Sequence, residues 1–340
     1  MDRPADGGDP WAVSADEFPD DASPETQFAF LVRYAVLAPS SHNTQPWRFS
    51  VDDGGVDVYA DTERWLPVAD ADRRELFVSV GCALENLLVA AERFDFDHEV
   101  TYFPDGASDH PDDDRFVHVA RVVLTPDGSR SALRGGLFEA LTERSTNHGP
   151  FYGEVSPTTR GALAEAVTDA DIWARFVESA ETKAALGDLV TRADRRQFEN
   201  PSYRRELGEW IGNGALEPSW LKAKLGQLVV THLDLGDRQA ATDSVLVESA
   251  PVVVALGSDA DTLSARVRVG QTFERLALFA TTEGLSVHPM SQVLELADLR
   301  EELVETLGVE TGVVQHLFRL GYADPEPGRS SRRPLAAVVD

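Results

Sequence analysis

Four polar side chains crowd into one short turn of this chain, between two prolines. Ser40, Ser41, Asn43 and Gln45 lie where a predicted helix gives way to a predicted strand that begins at Trp47. A turn that needed only to be soluble would rarely combine two prolines, two amide side chains and a tryptophan. Buried amides and hydroxyls must be hydrogen-bonded, so these side chains either brace the backbone of the turn or present donors and acceptors to a ligand.

The same turn resembles a loop of the nitroreductase family. Its pattern Pro-Ser-Ser-x-Asn-x-Gln-Pro-Trp is similar to the segment with which those proteins contact a flavin ring. Asn43 and Gln45 each offer a donor and an acceptor, which suits the O–C–N edge of a flavin pyrimidine ring. The resemblance therefore implies that this ring loop binds FMN through Pro39, Ser40, Ser41, Asn43 and Gln45.

Typical nitroreductases are homodimers with the flavin at the subunit interface. One subunit supplies basic phosphate-binding segments and the other supplies the ring loop. In this chain Asp20-Asp21-Ala22 stands where a basic segment should precede Ser23, and a phosphate would be repelled by those two carboxylates. The first half thus has a ring loop without its own phosphate site.

The second half has the complementary parts. It contains Arg144-Ser145-Thr146-Asn147 and, near its end, Arg329-Ser330-Ser331-Arg332-Arg333-Pro334, and it has no second ring loop. The planar fork of arginine gives bidentate, charge-assisted hydrogen bonds to a phosphate. The resemblance implies one complete FMN site per chain, its phosphate held by residues of both segments: Arg144, Ser145, Thr146, Asn147, Arg332 and Arg333.

Some roles stay open at this point. Arg333 replaces a smaller apolar residue that is common in the family, so it is either a ligand or structural. His148 lies near a position where many nitroreductases carry Lys or Arg, and it either lends a pH-dependent charge or is a surface histidine.

A third segment, from Gly284 to Gln292, resembles the one that packs on the outer face of the flavin and bonds near N5. It implies that Pro289, Met290 and Ser291 belong to the cofactor site. His288 is either a proton donor or a packing residue.

Two helix starts and two helix interiors repeat along the chain. Ser23-Pro24-Glu25 and Ser156-Pro157-Thr158 both have the N-cap and first-turn proline of a helix. Gly81-x-x-x-Glu85 and Gly270-x-x-x-Glu274 lie on amphipathic patterns. If both alignments hold, the second half carries an insertion near residues 190–245, with Tyr203, Trp210 and Trp220.

These landmarks predict an acidic, flexible leader over residues 1–22, a first half over 23–130 and a second half over 131–340. The resemblance implies an α+β, nitroreductase-like fold of two tandem pseudo-symmetric halves, each with a mostly antiparallel sheet flanked by helices. The fused arrangement is similar to the Acg-like branch of the family. That branch is associated with a lid over the flavin, and the insertion is the segment expected to form it.

Composition narrows the partners. The 340 residues include 58 Asp and Glu against 31 Lys and Arg, a net charge of −27. Such acidity is an adaptation that halophiles use to stay soluble, so we expect a salty cytoplasm and no polyanionic nucleic acid or membrane surface as partner. The start of the chain does not resemble a signal peptide, and no Cys/His spacing suggests a metal site. Cys82 lies in an apolar pattern and is expected to be a small buried hydrophobe.

The leading hypothesis is an FMN-dependent NAD(P)H oxidoreductase of nitroreductase type that acts on nitroaromatic, quinone or similar small acceptors. No catalytic side chain is required, because the flavin carries the chemistry. A protein that binds or sequesters FMN under its lid, with little reductase activity, is the alternative, and a flavin-free scaffold is a third. We expect the chain to function as a monomeric pseudo-dimer. The sequence determines neither the physiological acceptor nor the choice between NADH and NADPH.

Overall fold

The computed structural model describes residues 9–106, 115–126, 134, 136–212, 236–326 and 328–340. In the first half the elements are α1 (Pro24–Ala35), β1 (Trp47–Asp52), β2 (Gly55–Asp61), α2 (Arg74–Arg93), β3 (Phe96–Tyr102) and β4 (Phe116–Pro126). The second half begins with α3 (Ala140–Glu143), α4 (Pro157–Glu165), β5 (Ile172–Val177), α5 (Ala180–Glu199), α6 (Pro201–Gly212) and α7 (Gly236–Ser249). It continues with β6 (Val252–Ser258), α8 (Leu263–Thr282), β7 (Ser286–Pro289), α9 (Ala297–Leu307) and β8 (Val313–Gly321).

The two halves carry sheets of the same topology. The first sheet has the order β1-β2-β4-β3 and the second β5-β6-β8-β7, and every neighbouring pair is antiparallel. The central strand β6 is buried along its whole length, which explains its unbroken apolar sequence. The expected α+β class, with two antiparallel sheets flanked by helices, is confirmed.

The repeated helix starts take the same form in both halves. Ser23 Oγ accepts a hydrogen bond from the backbone N–H of Thr26 at 3.4 Å, and Ser156 Oγ accepts one from Thr159 at 3.0 Å. A proline occupies the first turn of each helix, where its missing N–H costs nothing. The two Ser-Pro motifs are thus equivalent N-caps.

The two Gly-x-x-x-Glu helices cross each other at their glycines. A Cβ added to Gly81 of α2 would overlap the carbonyl oxygen of Val267 on α8, and one added to Gly270 would overlap that of Val78. Only glycine lets two helix backbones approach so closely. The short repeat that the sequence suggested therefore marks the contact that joins the halves, at the centre of the main hydrophobic core.

We expect Gly81→Ala to lower the free energy of unfolding by about 1–3 kcal/mol, because the added methyl group must push the helix backbones apart. Gly161 offers a matched control, since it lies inside α4 with no atom within 4 Å of the position of its Cβ. Gly161→Ala should stabilise the protein slightly through helix propensity. Chemical denaturation of the two variants measures both effects, and an equal response would show that the crossing tolerates a side chain.

The N-terminal segment is more ordered than expected. Residues 1–8 lie outside the described part of the chain, but Pro10–Ala12 and Ala15–Glu17 form 3-10 turns. Val13 is buried, and the Phe18 ring stacks on Phe94 at 4.2 Å between centroids. Residues 9–22, where the sequence led us to expect a flexible leader, thus contain short turns whose few apolar side chains pack on the core.

The described part of the insertion is helical. α5 and α7 pack against each other, and α5 also contacts α9. At the junction of α5 and α6, Phe198 and Tyr203 form a small hydrophobic cluster with Leu66 and Ala69 of the first half. Residues 213–235, which include Trp220, lie outside the described residues. Among the described residues, none of the helices is both long and apolar enough to cross a membrane.

Candidate functional site

The ring loop has an unusual backbone. His42, Asn43 and Gln45 have φ angles of 47°, 52° and 51°, in the left-handed region that non-glycine residues rarely adopt. Ser40 Oγ holds the loop by accepting from the N–H of Gln45 at 2.8 Å, and the N–H of Ser41 donates to Ser79 Oγ on α2 at 3.2 Å. Strain of this kind clusters at functional sites, where surrounding contacts hold the backbone in place.

The two amides of the loop bind the C-terminal segment. Asn43 Nδ2 donates to the carbonyl oxygen of Ser331 at 3.1 Å, and Gln45 Nε2 donates to the same oxygen at 3.3 Å. Gln45 Oε1 accepts from the N–H of Arg333 at 2.7 Å. Of the two interpretations open from sequence, bracing of the backbone describes these amide contacts. They bring together the ring loop and the arginine segment, almost the whole chain apart.

The guanidinium of Arg333 binds backbone oxygens. Its guanidinium donates to the carbonyls of Gln45 at 3.1 Å, Trp47 at 3.3 Å and Ala337 at 2.7 Å. These contacts match the structural alternative for this residue.

Arg144 pairs with the buried carboxylate of Glu274, and Arg332 lies near enough for its charge to act on both. Arg332 donates to Asn43 Oδ1 at 3.1 Å and to the carbonyl of Leu37 at 3.0 Å. Arg144 Nε lies 3.3 Å from Glu274 Oε1 on α8. Burial, together with the charge of Arg144, lowers the pKa of Arg332 to about 9. We name Arg144, Glu274 and Arg332 the arginine cluster.

The corresponding glutamate of the first half, Glu85, is a carboxylate paired with two arginines. Glu85 Oε1 accepts from Arg275 Nε at 2.7 Å and from Arg134 Nε at 2.9 Å, and each arginine gives a second hydrogen bond to Oε2. Although burial opposes it, the charges of Arg275 and Arg134 lower the pKa of Glu85 to about 2. Burial outweighs the two nearby arginines at Glu274, whose pKa rises to about 7. The pKa values of these two glutamates, at equivalent positions of the repeat, are thus shifted in opposite directions.

The arginine cluster has unused capacity for an anion. Among the described residues, Arg144 Nη1, Arg332 Nε and Glu274 Oε2 are buried without a hydrogen-bond partner. The cluster has two guanidiniums but one carboxylate, Glu274, whose pKa is raised to about 7. It is therefore short of negative charge. Buried unpaired donors are costly, and a phosphate supplies acceptors and charge together. This donor set fits the phosphate of FMN.

The other residues of the first phosphate segment are placed differently. Ser145 is exposed, and Thr146 forms a parallel bridge with Val287. Asn147 is buried, with Nδ2 donating to the carbonyl of Asp324 at 2.8 Å and Oδ1 accepting from the N–H of Gly149 at 2.9 Å. Arg144 is thus the residue of this segment that pairs with Glu274 in the arginine cluster.

The segment at the end of β7 is buried and tied to β8. The N–H of Met290 donates to the carbonyl of Leu317 at 2.7 Å, and Ser291 Oγ lies 3.0 Å from His316 Nδ1. Pro289 is the last residue of β7. These contacts fix the backbone between Pro289 and Ser291 beside the second sheet.

The two histidines near this segment behave differently. His288 Nδ1 accepts from Arg319 Nε at 3.1 Å, and burial, with the charges of His148 and Arg319, holds the pKa of His288 well below its ordinary value. This is the packing alternative for His288. His148 is largely exposed and its N–H donates to Glu326 at 2.8 Å, as expected for a surface histidine.

The insertion covers the ring loop. The Tyr203 ring on α6 packs edge-on against His42, with 6.4 Å between centroids. Glu206 accepts from the N–H groups of Val68 at 3.0 Å and Ala69 at 2.9 Å. Burial lowers the pKa of His42 to about 4, despite the opposing charge of Glu75. A helix of the second half thus lies over the strained turn of the first.

Around this contact lies a set of buried and half-buried carboxyls that sequence reasoning missed. We name it the acidic interface, and its members come from α2 with the preceding loop, the insertion and the Ser291–Glu295 turn: Asp70, Glu75, Asp194, Glu206, Asp243 and Glu295. Burial raises the pKa of Glu295 well above its ordinary value, and the charges of Glu75 and Asp70 add to the effect. Local patterns carry no signal for this set, because its members are distant in sequence.

Open space is distributed unevenly around the site. A cleft of about 490 Å³ lies beside the C-terminal segment and is lined by Trp11, Arg329, Ser330 and Ser331, among others. The cavity between the ring loop and α2 measures about 10 Å³, which is at most the room of a single water molecule. A ligand can thus reach the arginine segment from outside, whereas the cavity between the ring loop and α2 has no room for one.

Relatives of this chain occur in Mycobacterium tuberculosis. No protein-family profile matches the chain. A protein named "Putative NAD(P)H nitroreductase Rv3131" is 28% identical to this chain over 353 residues. The alignment covers 100% of this chain and 97% of that protein. Another, named "Putative NAD(P)H nitroreductase acg", is 25% identical over 322 residues, covering 90% and 93%.

Two solved structures show a partial likeness. An iodotyrosine deiodinase bound to FMN and 3-iodo-L-tyrosine covers 58% of this chain and 95% of its own, at 15% identity and a TM-score of 0.44. The FMN-dependent nitroreductase NfnB of Mycobacterium smegmatis, in complex with NADPH, covers 56% and 93%, at 19% identity and a TM-score of 0.39.

The alignment with the first of these relatives spans the whole chain, and so both of its halves. The chain is therefore a full-length relative of proteins named as nitroreductases, and its resemblance to the nitroreductase family is confirmed.

Proposed function

We propose that the protein is an FMN-dependent NAD(P)H oxidoreductase of nitroreductase type that reduces nitroaromatic, quinone or similar small acceptors. The observation that carries the proposal is the arginine cluster, whose buried guanidinium nitrogens, without a partner among the described residues, lie beside the strained ring loop. The names of the Mycobacterium tuberculosis relatives support the same activity.

In this proposal the chain's residues bind and orient the cofactor. Arg144 and Arg332 hold the phosphate, with Ser145, Thr146 and Asn147 nearby. The ring loop, from Pro39 and Ser40 through Ser41, presents its backbone to the ring, while the segment from Pro289 through Met290 to Ser291 faces the ring from the second half. Asn43, Gln45 and Arg333 hold these parts in register through the contacts described above.

Bound FMN would supply hydride chemistry at N5, which is the cofactor's own. The chain contributes electrostatics and the exclusion of water. We infer further that one chain carries one FMN and functions as a monomeric pseudo-dimer, and that its net charge of −27 reflects a salty cytoplasm.

The test begins with the purified protein in high salt. FMN is added, excess flavin is removed, and the bound flavin is released by denaturation and counted against protein. We expect one FMN per chain and loss of the flavin absorption when NADPH or NADH is added without oxygen. Failure to retain any FMN after reconstitution would rule out the proposal, and two per chain would rule out the single site.

The second candidate function is an FMN-binding or sequestering protein with little reductase activity. The packing of Tyr203 on His42 and the hydrogen bonds of Glu206 to Val68 and Ala69 favour it, because they close the ring loop. NADPH could reach a flavin there only if α6 moved. Bound FMN that NADPH fails to reduce would support this function over the first.

Replacing residues 200–222 by a short Gly/Ser linker should separate the two functions. We expect flavin reduction by NADPH to become at least several-fold faster, because access no longer waits for the lid to open. FMN should also dissociate faster. Stopped-flow absorbance measures both rates, and Arg205→Ala, at an exposed position of α6, is the control. A variant that folds and binds FMN but is reduced no faster would show that the insertion is not a lid.

A further inference from the structure

We propose that Trp11, in the N-terminal segment, is a positioning residue that holds the guanidinium of Arg332 in place for binding the FMN phosphate. The inference rests on the proposed function, because it takes Arg332 as a phosphate ligand. It assigns a role in cofactor binding to a segment that the sequence patterns placed outside both halves.

Trp11 lies between two arginines of the C-terminal segment. The Cζ atom of Arg332 lies 4.7 Å from the centroid of the Trp11 ring, and that of Arg329 lies 4.8 Å away. The indole Nε1 donates to the carbonyl of Ser330 at 3.0 Å. The ring is thus fixed against the segment by one hydrogen bond and two cation–π contacts.

The segment around Trp11 is itself anchored. The N–H of Trp11 donates to Asp9 Oδ1 at 3.1 Å, Val13 is buried, and the Phe18 ring stacks on Phe94. These contacts lie on both sides of Trp11 along the chain. The Trp11 ring therefore belongs to a segment that is packed on the rest of the protein.

Arg332 needs such a neighbour because its other surroundings disfavour its charge. Burial and the charge of Arg144 both lower its pKa, and the carboxylate of Glu274 compensates only in part. Its Nη atoms donate to Asn43 Oδ1, Ser330 Oγ and backbone carbonyls. The negative face of an aromatic ring stabilises a desolvated cation without taking up an N–H, so Nε remains available for a ligand.

If Trp11 served only to cover apolar surface, its replacements would affect FMN binding differently. Leucine retains most of the hydrophobic contact but has no ring face, whereas phenylalanine keeps the face and loses only the indole N–H. The two replacements therefore distinguish the cation–π contact from simple packing.

The chain offers a matched control on the first sheet. The Phe116 ring also lies between two arginines, with Arg48 Cζ 5.1 Å and Arg115 Cζ 4.8 Å from its centroid. Phe116→Leu removes the same kind of double contact away from the arginine cluster. It should change FMN affinity little.

The experiment is a titration of the flavin-free protein with FMN, followed by flavin fluorescence, for the wild type and the variants Trp11→Leu, Trp11→Phe and Phe116→Leu. We expect Trp11→Leu to bind FMN about 5- to 30-fold more weakly and Trp11→Phe to stay within about threefold of the wild type.

Each outcome decides one question. If the wild type binds no FMN, the proposed function fails. If the wild type binds FMN and Trp11→Leu binds it equally well, the inference about Trp11 fails. Equal weakening in both Trp11 variants would also overturn it, since a packing role predicts that pattern. Circular dichroism on each variant confirms that the comparison is between folded proteins.

Discussion

Replacing Arg332 by alanine should weaken FMN binding about ten- to hundredfold. A charge-assisted hydrogen bond to a phosphate contributes about 1.5–3 kcal/mol, and its loss would leave Arg144 to hold the anion alone. The buried Nε of Arg332, which has no hydrogen-bond partner in the described part of the chain, gives the structural reason for expecting this contact. Fluorescence titration of the flavin-free variant with FMN measures the change.

Arg48→Ala is the control for this prediction. Arg48 follows the ring loop on β1, but its guanidinium pairs with Asp340 at the surface and lies over the Phe116 ring. Removing an arginine there should change FMN affinity far less. Equal losses for Arg332→Ala and Arg48→Ala would contradict the assignment of the phosphate site.

The second large effect concerns pH and the acidic interface. Asp194 on α5 lies against Asp243 on α7, and Gln292 Nε2 donates to Asp194 Oδ1 at 3.2 Å. Burial, reinforced by the charge of Asp243, raises the pKa of Asp194 from 3.8 to about 8. Near neutral pH the folded protein therefore holds a proton that the unfolded chain has released.

The sign of the effect follows from proton linkage. When the folded state binds more protons than the unfolded chain, the free energy of unfolding falls as pH rises. For Asp194 the full contribution is present below about pH 4 and is lost as pH rises to about 8. Glu295 and Asp70 shift in the same direction, so the acidic interface weakens as the solution becomes alkaline.

Asp194→Asn should therefore be more stable than the wild type at pH 8, by at least about 2 kcal/mol, and the advantage should disappear near pH 4. The asparagine amide keeps a polar group at the position without a charge. Denaturation at a series of pH values measures the difference. Asp188→Asn, at an exposed position of the same helix, is the control. A wild type whose advantage over Asp194→Asn grew with pH would contradict the prediction.

Much of the fold could be predicted because its signals are local. The Ser-Pro helix starts, the turn before Trp47 and the apolar run of β6 each reflect hydrogen bonding or burial within a few neighbouring residues. The Gly-x-x-x-Glu repeat also proved informative, since Gly81 and Gly270 mark one crossing of two helices. The contacts of Val13 and Phe18 were not predicted, because the acidic composition of the leader gave no sign of these apolar side chains' partners.

The candidate site was predicted unevenly. Residue types alone led to Asn43, Gln45 and the arginine segments, and the contacts between Gln45 and Arg333 show that these motifs do meet. What residue type could not decide was the direction of each donor. Asn43 and Gln45 face the C-terminal backbone, because a strained loop needs partners that hold it.

The sequence by itself determined the elements, the repeat and the set of residues able to bind a phosphate, because periodicity, capping and side-chain chemistry are properties of short segments. Only the tertiary structure decided the charge balance. Glu85 and Glu274 occupy equivalent positions of the repeat, yet two arginines balance the charge of the first, while one oxygen of the second has no partner among the residues that the structure describes. Their pKa values of about 2 and about 7 depend on arginines from distant segments and on the loss of water, which no local pattern records.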